Sequence, residues 1–78
     1  MPTMTINHTV DARGLACPMP IVKTAQLIRN VPSGDLIEVL ATDAGSVKDF
    51  AAWSRATGNA LLDQSTDDGV YHFTIQRA

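Results

Sequence analysis

The stretch Gly14-Leu15-Ala16-Cys17-Pro18-Met19-Pro20-Ile21-Val22-Lys23-Thr24 (GLACPMPIVKT) is where the hydrophobic period of the chain changes. Before it, Thr5 to Asp11 alternate, with Ile6, His8 and Val10 on one side and Thr5, Asn7, Thr9 and Asp11 on the other. That is the period of a half-buried strand. From Pro18 to Val31, Ile21, Thr24, Ala25, Leu27, Ile28 and Val31 gather on one helical face, and Lys23, Gln26, Arg29 and Asn30 take the opposite one. Arg13-Gly14 closes the strand, and Pro32-Ser33-Gly34 closes the helix.

The two prolines locate the helix start. Pro18 suits the first helical position, where its missing N–H would have had no intrahelical acceptor, and Pro20 still falls within the first turn. A proline deeper in the helix would cost about 3 kcal/mol. Cys17 is therefore expected at the N-cap or one position from it.

Working outward, Asp35 to Thr42 (DLIEVLAT) is rich in Leu, Ile and Val with little charge and is expected as a central strand. A second helix is expected from Asp43 or Ser46, both suitable N-caps, with Val47, Phe50, Trp53, Ser54 and Thr57 on its inner side and Gly58-Asn59 at its end. Ala60 to Ser65 and Val70 to Arg77 are expected as two strands joined through Asp67-Asp68-Gly69. The order β-α-β-α-β-β predicts an α+β fold: a two-layer sandwich with a four-stranded mixed sheet and both helices on one face. The other sheet face is left for solvent or a partner.

At 78 residues the chain supports one domain, 1–78, with an ordered core of about 5–77. A formal charge of −2 and dispersed Lys and Arg argue against a nucleic-acid surface. No apolar run approaches the length of a membrane span, and MPTMTINHTV lacks a leader pattern, so a cytoplasmic protein is expected. One cysteine excludes an internal disulfide and Cys-x-x-Cys chemistry. Cys17, His8 and His72 show no paired metal-ligand spacing, so no metal is expected.

A free cysteine is ordinarily a small apolar core residue. Cys17, however, lies at a loop-to-helix junction whose apolar face begins only at Ile21, which argues for an exposed thiol at the positive end of a helix dipole. That setting is expected to favour the thiolate, with Arg13 and Lys23 near enough in sequence to add positive potential. Arg13, Met19, on the exposed first turn, and Lys23 are candidate partner contacts. Phe50 and Trp53 are expected in the core, His8 and His72 as surface or sheet-packing residues, and Asp11 as an acceptor for backbone N–H groups of the cysteine loop. One activated thiol without a second cysteine, an acid-base pair or a cofactor loop suits a covalent carrier of sulfane sulfur, held as a persulfide. The alternatives are a regulatory or interaction module binding protein or RNA through the open sheet face, and a thiol peroxidase or redox sensor. The missing resolving cysteine weakens the latter.

Asp11, Gly14-Leu15, the Cys17-Pro18-Met19-Pro20 signature (CPxP), Lys23, Ser33-Gly34-Asp35 and Thr42-Asp43-Ala44-Gly45-Ser46 together resemble the TusA (SirA-like) sulfur carriers, over about Thr5 to Arg77. The resemblance implies a fold similar to the C-terminal domain of translation initiation factor 3. It also implies persulfide relay through Cys17, with Gly14, Pro18 and Pro20 as supporting motif residues. Implied partners are a sulfur donor, either a cysteine desulfurase or a rhodanese-like protein, and an acceptor such as a DsrE-like protein. No nucleic acid, membrane or cofactor is implied beyond the covalent persulfide, and the protein alone is expected as a monomer. Members that serve tRNA thiolation often have a basic residue before the cysteine and an acidic one between the prolines. Here Ala16 and Met19 stand there, which makes sulfur oxidation an equal expectation, with selenium metabolism a further one. Ala44 stands where relatives commonly have proline.

Overall fold

In the computed structural model, residues 5–78 are described. The elements are β1 (His8–Ala12), α1 (Met19–Ile28), β2 (Leu36–Ala41), α2 (Gly45–Thr57), β3 (Ala60–Asp67) and β4 (Val70–Gln76). The four strands form one mixed sheet in the order β1-β2-β4-β3. β1 runs parallel to β2, as a strand-helix-strand crossover requires, and β4 pairs antiparallel with both β2 and β3. The expected β-α-β-α-β-β order and mixed sheet are therefore those observed. The first four residues of the single-domain span lie outside the described residues.

Alternation along the strands decides which sheet face is covered. Val10 and Ala12 of β1, Ile37, Val39 and Ala41 of β2, and Phe73 and Ile75 of β4 are buried under the helices. The register sets Val10 opposite Val39 and Val39 opposite Phe73, so one apolar row crosses three strands. Thr24 and Ile28 of α1, Val31 beyond it, and Phe50 of α2 close this layer. Phe50 stacks on Phe73 with ring centroids 4.6 Å apart, and Trp53 meets Phe50 edge-on at 6.0 Å. Trp53 is only partly buried, while Phe50 is fully enclosed. Buried Thr24 satisfies its hydroxyl by donating to the Pro20 carbonyl one turn back, at 2.9 Å.

Several boundaries differ from the sequence reading, each for a local reason. β1 begins at His8 rather than Thr5, because the Asn7 side-chain carbonyl takes the Leu36 N–H at 2.8 Å and replaces a ladder bond. α1 ends at Ile28. Asn30 and Val31 then bond back three residues, to Leu27 and Ile28, before Pro32 stops the chain. Val31 still lies in the core. The β3–β4 hairpin is tighter than expected: Asp67 pairs with Val70, and the two-residue loop uses positive φ at Asp68 (51°) and Gly69 (78°). A bulge between Leu61 and Asp63 leaves Leu62 exposed. Among the described residues, no helix is long and apolar enough to cross a membrane.

Candidate functional site

Cys17 is exposed, in the loop between β1 and α1. The loop is braced from both sides. Arg13 forks onto Asp11, with Nε donating to Oδ1 and Nη2 to Oδ2, each at 2.9 Å, and its backbone N–H also reaches Oδ1 at 3.2 Å. Lys23 donates to the Asp11 carbonyl at 2.9 Å. Gly14, at φ +79°, turns the chain in a conformation that favours glycine and donates its N–H to Thr42 Oγ1 at 2.9 Å, tying the loop to the end of β2. Asp11 thus accepts a backbone N–H of the cysteine loop, as expected. The guanidinium hydrogen-bonded to it holds its carboxyl down to about 2 and raises Arg13 in turn.

The helix starts one residue later than expected, so each proline sits one position earlier relative to it. Pro18 is the N-cap of α1 and Pro20 is at its second residue, so Cys17 lies one position outside the cap. Met19, the first helical residue, is 46 % exposed beside it.

The expected stabilisation of a thiolate by helix-end amides is not what the backbone provides. Pro18 and Pro20 have no N–H, that of Met19 is spent on the Ala16 carbonyl at 2.9 Å, and that of Cys17 itself goes to Asp43 Oδ2 at 3.3 Å. Arg13 and Lys23, the candidate cations, are both committed to Asp11 rather than aimed at the sulfur. The Cys17 Sγ–H instead donates to Asp49 Oδ2. This bond, partial desolvation and the charges of Asp49 and Asp43 together push the Cys17 thiol above its ordinary range. These contacts favour the accessible thiol over the thiolate.

The second helix also starts differently. Neither Asp43 nor Ser46 caps α2 with its side chain; the N-cap is Ala44. Asp43 is withdrawn from capping because its carboxylate serves the Cys17 N–H. Ser46 is buried with its hydroxyl unpartnered. Gly45 leaves room for the Asp43 carboxylate: a Cβ there would stand 2.9 Å from Asp43 Oδ2, and at ordinary contact distance, 3.4 and 3.7 Å, from Cys17 Cβ and Sγ. The site is thus the meeting of the β1–α1 loop with the first turns of α2. Sequence reasoning did not single out Asp49 or assign Gly45 a role. The helical spacing of positions 45 and 49 was the available signal, since residues four apart share a face.

The remaining candidates lie elsewhere. His8 bonds Asp35 at 3.0 Å, and His72 lies 3.9 Å from Glu38. Among the described residues, no group of three or more His, Cys, Asp or Glu is placed to hold a metal ion.

Over most of its length the chain is similar to known proteins. The family model described as "Sulfurtransferase TusA" matches residues 8–77. A sulfur carrier protein TusA of Allochromatium vinosum is 42 % identical over 92 % of this chain and 95 % of its own. A candidate sulfur carrier of Bacillus subtilis, YrkI, is 43 % identical over 95 % of this chain and 99 % of its own. The fold is matched by the crystal structure of a SirA-like protein from Desulfitobacterium hafniense, with a TM-score of 0.77 and 24 % identity. That match covers 88 % of this chain and 95 % of the other.

Proposed function

The chain belongs to the TusA sulfurtransferase family, and on that premise we propose that it is a cytoplasmic sulfur carrier whose Cys17 accepts sulfane sulfur as a persulfide and passes it on. The observation that supports this most is the exposed thiol of Cys17 on a loop braced through Asp11, Arg13, Lys23 and Thr42. A carrier needs presentation rather than a pocket, and a braced loop presents the sulfur in one place to large partners.

The exchange conserves electrons. Deprotonated Cys17 Sγ attacks the outer sulfur of a donor's cysteine persulfide. The donor's S–S bond breaks as the new one forms, and the donor cysteine leaves as a thiolate that takes up the proton lost from Cys17. An acceptor thiolate repeats the step on the outer sulfur of loaded Cys17, which returns to the thiol. No external oxidant, metal or organic cofactor enters this balance. The donor is a persulfide-bearing protein of the cysteine desulfurase or rhodanese-like kind, and the acceptor presents a cysteine, as DsrE-like proteins do. Met19, exposed beside the thiol, supplies an apolar, adaptable contact for them.

Intact-protein mass spectrometry after incubation with a persulfide donor tests the proposal. Wild type should gain the mass of one sulfur atom, reversibly by dithiothreitol, and Cys17→Ser should gain none. Equal gain on both proteins, or none on wild type, would refute it.

A further inference from the structure

The geometry points to Asp49 as a positioning residue for Cys17, one that holds the idle sulfur as S–H against the flank of α2 so that it becomes a nucleophile only when this contact opens.

Three observations carry this. First, the contact is built by the fold. Gly45 and Asp49 share a face of α2, and the Cys17 side chain lies against that face beside Gly45, where Asp49 Oδ2 accepts the thiol proton. Phe50, the next residue, is fully buried and stacked on Phe73, which fixes the rotation of α2 and hence the direction in which Asp49 points. Second, the charges that face the sulfur have one sign. Asp43 and Asp49 are both carboxylates, and neither has an ion-pair partner among the described residues. The cations nearest in sequence, Arg13 and Lys23, are engaged by Asp11. Third, at the start of α1 Pro18 and Pro20 have no N–H, and the amides of Met19 and of Cys17 itself are already spent. A neutral thiol satisfies Asp49 by donating to it, whereas a thiolate would be repelled by the two carboxylates.

The device protects the idle carrier, because thiolate character governs oxidation and alkylation of cysteine. It also describes the partner chemistry that opens it: a cationic side chain set against Asp43 and Asp49 reverses the local field and releases the thiol to ionise. That last step rests on reading Cys17 as the carrier residue; the proton chemistry does not.

The test is the pH profile of Cys17 alkylation by iodoacetamide for wild type, Asp49→Asn and Asp43→Asn, with circular dichroism to show that each is folded. Asp49→Asn should move the midpoint to lower pH and speed alkylation at neutral pH about three- to tenfold, since one pH unit of midpoint is about tenfold in thiolate fraction. Asp43→Asn, which removes a charge but not the thiol's acceptor, should shift it less. On wild type, the Cys17 13Cβ titration should fall above that of a free peptide spanning residues 15–22. An Asp49→Asn midpoint equal to or above wild type, or a wild-type titration at or below the peptide's, would overturn the inference. Because no sulfur donor is used, these outcomes are independent of whether Cys17 carries sulfur. Failure to load sulfur with the Asp49→Asn shift intact would refute the carrier alone.

Discussion

Replacing Phe50 by alanine should remove a quarter or more of the stability of the fold. Its ring is fully buried, stacked on Phe73 at 4.6 Å and met edge-on by Trp53 at 6.0 Å, and among the described residues no other aromatic pair joins α2 to β4. Truncating a buried phenylalanine costs about 3–5 kcal/mol in lost transfer energy and residual cavity. At roughly 0.05–0.15 kcal/mol per residue, a chain of 78 residues has about 4–12 kcal/mol in all. The loss is thus comparable to the whole at the lower end of that range. Phe50→Leu, which refills most of the volume, should cost about 1–1.5 kcal/mol. At about 4–8 °C per kcal/mol for a domain of this size, Phe50→Leu should lower Tm by roughly 4–12 °C. Urea unfolding followed by circular dichroism should show a lower midpoint with an unchanged slope for Phe50→Leu. A Phe50→Ala protein within about 1 kcal/mol of wild type would refute the reasoning, since a cavity of that size cannot be so cheap unless α2 is held by something other than the aromatic layer.

Three further outcomes follow from the same geometry. Gly45→Ala should displace the Asp43 carboxylate and free the Cys17 amide, seen as a large shift of that amide in a 15N-correlated spectrum. Its stability should stay within about 1 kcal/mol of wild type, because helix propensity gained offsets one exposed hydrogen bond lost; an unmoved Cys17 amide would contradict the close approach. Ser46→Ala removes a buried hydroxyl that has no partner and should raise Tm by a few degrees, corresponding to about 1 kcal/mol, and a fall in Tm would mean the hydroxyl is satisfied. The Asp11 carboxyl, held down to about 2 by Arg13, stabilises the folded state above the ordinary aspartate value, and this is lost as pH falls from there towards about 2. The Tm difference between wild type and Asp11→Asn should therefore shrink across that acid window, and a constant difference would show that the Asp11–Arg13 pair is not coupled to folding.

What could be inferred from sequence was what local pattern encodes. The period change at Cys17 separates β1 from α1, Gly58 ends α2 in the left-handed conformation at φ +78°, and Asp68-Gly69 turns the hairpin. Exposure of Cys17 and the Asp11 contacts with its loop were inferable for the same reason, since Asp11 and Arg13 are two residues apart. The insertion of β4 between β2 and β3 was not, because nothing in a strand's own residues says which distant edge it will join. The surroundings of the Cys17 sulfur were not legible on similar grounds. Sequence proximity offered Arg13 and Lys23, but the side chains that reach the sulfur and its amide come from 32 and 26 residues downstream, Asp49 and Asp43. Asp43 looked like a cap because it precedes a helix, and its carboxylate was claimed instead by a backbone N–H on another loop.

Passage of sulfur through Cys17 can be followed with a radioactive label. Protein loaded from a donor bearing 35S as sulfane sulfur, separated from that donor and then mixed with a thiol acceptor, should lose the label to the acceptor and recover a free Cys17 thiol. Label that never binds Cys17, or that stays on it in the presence of excess acceptor, would contradict a carrier role.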